Sequence, residues 1–163
     1  MLGQFVHYLK NFHLSGELIT LLVSMMPIFE LRGGIPLGVL QFKIPLMKAF
    51  LISFLGNILP ILPIMYFLDP IRKLLSRIPL FKKFFGWLYA RAYKKGEEVM
   101  KYGAIGLAIF VAIPLPITGA WTGALIALIF SVKRRYAFPS IILGVLGAGI
   151  IVSAFTALFN RFL

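Results

Sequence analysis

Cysteine is absent from the 163-residue chain, which excludes disulfides, thiol nucleophiles and cysteine-ligated metals. Acids are scarce: five Asp and Glu stand against 17 Lys and Arg. The two histidines, His7 and His13, are isolated and have no metal-ligand spacing. So few carboxylates and imidazoles cannot readily build a nucleophile–base pair or a metal cluster, and there is no nucleotide-binding loop. No enzyme activity, cofactor or metal is expected. Charge as a whole is sparse, at 13% of residues, where a soluble domain carries about 25%.

What is present is apolar surface, at 60% of residues. A soluble core of this size could not hide it, so lipid is the expected solvent and the chain reads as an integral membrane protein. The net charge of +12 would fit nucleic acid, but no zinc-finger, phosphate-loop or aromatic RNA-binding signature accompanies it. In a membrane protein such a balance marks cytoplasmic loops rich in Lys and Arg that face anionic lipid.

The first apolar run, Leu18–Phe29, is short for a span, which needs about 20 residues. Ser15 is placed to cap its helix, with Glu17 in the first turn where the dipole favours an acid. The run reads as retained rather than as a cleaved signal, since no small-residue cleavage site follows it. Pro27 kinks its end, and Glu30, Arg32, Gly33, Gly34 and Pro36 follow as a charged break through which a continuous helix is not expected. The second run, Ile44–Leu68, is long enough to span and is expected to bend at Asn57, Pro60 and Pro63.

Residues 69–102 differ. Lys and Arg are dense, and Phe81, Phe84, Phe85 and Leu88 recur at helical spacing beside Lys82, Lys83, Lys94 and Lys95, with Trp87 among them. This is the pattern of an amphipathic helix lying in the membrane interface, aromatic residues in the acyl boundary and bases near phosphates. The third run, Ala104–Val132, carries no charge and is broken at Ile113–Gly123; the fourth, Phe138–Phe159, carries Gly144, Gly147 and Gly149, which allow close helix packing.

The order of parts repeats: a broken run, then a spanning run, on either side of the basic segment. The expected architecture is one all-α membrane domain over 1–163, with a first repeat at 1–68, the basic interfacial segment at 69–102 and a second repeat at 103–163. Each broken run can span or can enter and leave by one face. The re-entrant arrangement is the expected one, because it keeps both dense basic clusters on one side and makes the halves inverted repeats, each a re-entrant hairpin followed by a transmembrane helix. Interrupted apolar segments in matching halves point to a transporter's binding site.

Glu30 leads the candidates, because ionisable groups inside a bilayer are costly and usually functional. Burial in a low dielectric disfavours a charged carboxyl, which suits proton exchange. Arg32 is near enough in sequence to compensate it. Gly33, Gly34 and Pro36 free backbone groups that a cavity or an anion could satisfy. Asn57, if buried, needs partners. In the second break Pro114, Pro116, Thr118, Gly119, Trp121 and Thr122 contribute backbone, hydroxyls and an aromatic ring.

Glu30-Leu-Arg-Gly-Gly-Ile-Pro-Leu-Gly38, then Gly56-Asn57-x-x-Pro60, then Pro114-Leu-Pro-Ile-Thr-Gly-Ala-Trp-Thr-Gly123 resemble the small multi-drug export protein family over about Leu14 to Phe159. That family is distantly similar to the DedA/VTT superfamily, whose members have two re-entrant hairpins, an amphipathic helix and inverted halves. Glu30, Gly33, Gly34 and Pro36 match that superfamily's first hairpin. Its second hairpin usually carries arginines, and Val111–Ala120 here has none.

The expected location is a prokaryotic cytoplasmic membrane, with residues 69–102 on the cytoplasmic side by their density of Lys and Arg. The expected function is a transporter, a proton-coupled exporter of drug-type small molecules with a midplane site between two opposed hairpins. The alternatives are a flippase or scramblase for a phosphate-bearing lipid, and a membrane-shaping or assembly protein acting through residues 70–100. Expected partners are anionic lipids, the small-molecule or lipid substrate, and other copies of the chain, since few spans offer little wall for a pathway; nucleic acid is not among them.

Overall fold

The computed structural model describes residues 14–67, 86, 90, 93, 96–97, 99–115 and 118–162. Among the described residues the chain is all-helical, with no strand. The interfacial residues singled out above, Phe81, Lys82, Lys83, Phe84, Phe85, Trp87, Lys94 and Lys95, lie outside the described residues, as does Pro116.

Helix α1 covers Gly16–Met25 and is capped as the sequence indicated: Ser15 Oγ accepts from Leu18 N–H at 3.2 Å, and Glu17 sits in the first turn. Its end is set by Pro27, which lacks the N–H that another turn requires. A turn through Met26–Phe29 leads into α2, Glu30–Pro36. The chain then passes without leaving the helix into a π-helical turn, Leu37–Gln41, closed by Phe42 N–H bonding to Leu37 O at 3.3 Å.

Here the sequence expectation is corrected. The break lies before Glu30, and Gly33, Gly34 and Pro36 are helical. Pro36 is the last residue of α2, and the register widens to π only from Leu37 onward. The glycines are used for close approach: a Cβ on Gly34 would lie 2.8 Å from Ser53 Oγ and closer still to Ser24 Oγ.

Helix α3 runs Leu46–Ile58 and, after a turn at 59–60, continues as helix to Phe67. Pro60 and Pro63 explain the interruption, since neither donates to the ladder. Leu46–Phe67 as a whole is 22 residues and apolar enough to cross a membrane. The third apolar run is two helices, α4 at Gly103–Ala112 and α5 at Ala120–Ile129, that pack against each other. A Cβ on Gly123 would meet Val111 Cγ2 at 2.5 Å, which shows how near the two backbones come. The second break is therefore shorter than Ile113–Gly123, because Ala120, Trp121, Thr122 and Gly123 are helical. Helix α6, Arg134–Phe162, has 29 residues and is the second helix able to cross a membrane.

The chain forms two compact units. One contains residues to Asn57 with Gly149 onward; the other is Ile58–Ala148. In the first, Ile19, Val23 and Leu37 form a buried cluster flanked by Leu14, Phe29 and Phe42. α1 packs along α2, and Lys48 on α3 reaches Glu17 on α1 at 2.6 Å. Both of those side chains are about half exposed, so the pair contributes at most about 1 kcal/mol. In the second unit, Gly144 and Gly147 of α6 abut Val111 and Ala112 of α4, and Tyr93 stacks on Phe130 with ring centroids 5.8 Å apart.

Both long helices present apolar side chains outward at helical spacing. Leu51, Leu55, Leu59 and Leu62 do so on the first, and Leu143, Leu146, Ile150 and Phe155 on α6. Contiguous exposed stripes of this kind are lipid-facing surface rather than water-facing surface. With the two crossing helices, they make the chain an integral membrane protein.

Candidate functional site

The first site is built where α1 turns into α2. The chain reverses through Pro27, and the reversal ends on a residue in the left-handed region. That residue is Glu30, with φ of 49°. Glycine is the usual choice at such a position; an acid there carries strain of about 1–3 kcal/mol. Glu30 is only 4% exposed, and Leu31 and Ile35 of the same helix are fully buried. Its N–H donates to Met26 O at 2.9 Å, which ties the acid's backbone to the end of α1.

Arg32 is partly buried two residues on, and the charge of Glu30 acts directly on its guanidinium. The Gly33 N–H is engaged with Phe29 O at 2.9 Å. It therefore serves the helix, and any anion here would rely on Arg32.

Behind α2 lies a seam of small and polar residues that the sequence reading largely missed. Thr20 and Ser24 on α1 donate their hydroxyls back to Gly16 O and Thr20 O, each at 2.7 Å. Ser24 and Ser53 flank Gly34 from α1 and α3. Gly56 lies against α1 so closely that a Cβ would sit 2.7 Å from Leu21 O. Asn57 is one turn beyond Ser53 and 1% exposed. Ser53 Oγ and Asn57 Oδ1 have no hydrogen-bond partner among the described residues. Two buried acceptors on one face of a membrane-crossing helix are costly unless something polar reaches them. The available signal was small residues at one-turn spacing, Thr20 with Ser24 and Ser53 with Gly56 and Asn57, inside otherwise apolar runs.

The second break, described on its own, is organised by Thr118. Its hydroxyl lies 2.5 Å from Ile113 O and 2.9 Å from Leu115 O, and it accepts from Leu115 N–H at 3.3 Å. Thr118 thus holds the turn together, as the hydroxyl at a helix end often does. Gly119 takes φ of 136°, a conformation closed to residues with a Cβ, and starts α5. Thr122 is buried and Trp121 partly so, both in the first turn of α5, while Pro114 is partly buried within the turn itself.

The two breaks share a plan: a ten-residue apolar helix, a proline-bearing turn, a positive-φ residue, then the returning helix. They differ in chemistry, since the first brings a buried acid and an arginine and the second brings backbone and hydroxyls. Searches of curated proteins and of solved structures returned no match. Residues 30–151, starting at Glu30 itself, match the sequence profile of the family described as small multi-drug export protein, a description that gives export provisionally. That match covers most of the chain, and the chain belongs to this family.

Proposed function

We propose that the chain is a proton-coupled exporter of small, drug-type molecules in which Glu30 is the proton-carrying acid. The observation that carries this reading is the combination at Glu30: a buried acid, a strained left-handed backbone, and a partly buried arginine two residues away. A buried carboxylate is tolerated only with a proton or a cation near it. A carboxyl alternating between a proton and a cationic substrate is thereby an exchanger. Arg32 sets how strongly the acid holds either. Asn57 and Ser53 add acceptors beside the same helix, with Gly33, Gly34 and Pro36 shaping the wall. The second break, from Pro114 and Pro116 through Thr118, Gly119, Trp121 and Thr122, supplies a further polar surface.

In this reading both helix–turn–helix units are re-entrant. Their first limbs are ten residues long, about 15 Å, or half the hydrocarbon core of about 30 Å. The basic segment faces the cytoplasm, as its density of Lys and Arg favours. In proteoliposomes loaded with ethidium, a pH gradient should drive efflux by the wild type. Glu30→Gln, which keeps size and loses the exchangeable proton, should slow it at least tenfold. Undiminished efflux by that variant would sink the proposal.

A further inference from the structure

A second polar site is formed within the unit Ile58–Ala148. An open cleft of about 320 Å³ is lined by Met65, Tyr66, Arg134, Arg135, Phe138 and Pro139. Arg134 lies over the Tyr66 ring, 4.5 Å from its centroid, and Arg135 over the Tyr136 ring at 4.8 Å. These contacts hold two guanidinium groups in place without supplying a counter-charge. Among the described residues neither arginine has an acidic partner. The first turn of α6 contains no acid, so its positive dipole end adds to both charges instead of balancing them.

The position of the cleft identifies what would balance them. Tyr66 is next to the end of one membrane-crossing helix, Leu46–Phe67, and Arg134 begins the other. From Arg135, residues 136–160 carry no charge until Arg161. The cleft therefore stands where hydrocarbon gives way to headgroups, the depth at which lipid phosphates lie. One wall, Met65 and Phe138, is apolar, and the other is two fork-shaped cations suited to phosphate oxygens. We propose that this cleft binds the phosphate of an anionic phospholipid, with the start of an acyl chain against Met65 and Phe138. The site is independent of Glu30.

The test uses the full chain, purified in neutral detergent, with lipid adducts read by native mass spectrometry. The probes are dioctanoylphosphatidylglycerol, dioctanoylphosphatidylcholine and inorganic phosphate. The wild type should show one site for the phosphatidylglycerol at least tenfold tighter than for the phosphatidylcholine, and inorganic phosphate should not displace it. Arg134→Gln/Arg135→Gln should weaken that site at least tenfold. Lys101→Gln/Arg161→Gln, which removes the same charge elsewhere, should leave it within twofold.

Equal weakening in both double variants would reduce the effect to net charge and overturn the proposal. Equal binding of phosphatidylcholine would do the same by showing a purely apolar groove, and displacement by inorganic phosphate would reassign the cleft to a free anion. Should the arginine double variant aggregate, Tyr66→Leu keeps both charges and removes the ring beneath Arg134. It should weaken phosphatidylglycerol at least threefold, and unchanged affinity would refute the site.

Discussion

At Gly34 the available space is smaller than a methyl group. Ser24 Oγ and Ser53 Oγ close on it from two helices, so α2 can pass between α1 and α3 only as bare backbone. Gly34→Ala should therefore lower stability by about 1–3 kcal/mol, measured as thermal unfolding in detergent. Adding Ser24→Ala, which removes the nearest oxygen, should recover part of the loss; simple additivity of the two would show that they do not meet. Glu30 follows the opposite logic. It occupies a conformation that glycine would hold at lower cost, and it is buried where an apolar residue would be cheaper. Both features are the ground on which the proposed function assigns Glu30 the exchangeable proton.

On the scale of single elements, Thr118 fixes the second turn through one hydroxyl that bonds the Ile113 carbonyl and both the carbonyl and the N–H of Leu115. Thr118→Val preserves shape and removes those bonds, and should cost about 0.5–1.5 kcal/mol in the same unfolding measurement. An unchanged midpoint would mean that Gly119 and the packing of α4 on α5 suffice to hold the turn. The elements also mark how far the sequence could be read. The Ser15 cap, the short first run, the long second and fourth runs and the existence of two breaks were legible, because each rests on local chemistry or on hydrophobic length. The position of each break was not. Gly33, Gly34 and Pro36 have low helix propensity, yet they are helical, and at Gly34 close packing against Ser24 and Ser53 offsets it. Thr122 and Gly123 were read as break for the same reason and belong to α5. Apart from their one-turn spacing to Thr20 and Asn57, nothing in the apolar runs marks Ser24 and Ser53; their closeness to Gly34 does.

At the scale of the whole molecule, the described residues include two helices long and apolar enough to cross a membrane and two shorter helix–turn–helix units. The absence of cysteine gives a clean background for single-cysteine labelling. If each broken pair is re-entrant, Ser15→Cys and Gln41→Cys should react with a membrane-impermeant maleimide from one side. Lys101→Cys and Lys133→Cys should likewise share a side, the cytoplasmic one. Labelling from opposite sides within either pair would make that pair a spanning segment. In the proposed exchange Glu30 couples protons to export, so ethidium efflux and proton entry are a single event. Proteoliposomes containing the protein, pyranine and ethidium are diluted into ethidium-free buffer at equal pH. The wild type should acidify the lumen as ethidium leaves, and Glu30→Gln should not. Acidification by Glu30→Gln at the wild-type rate, or ethidium efflux by the wild type with no proton entry, would contradict the account.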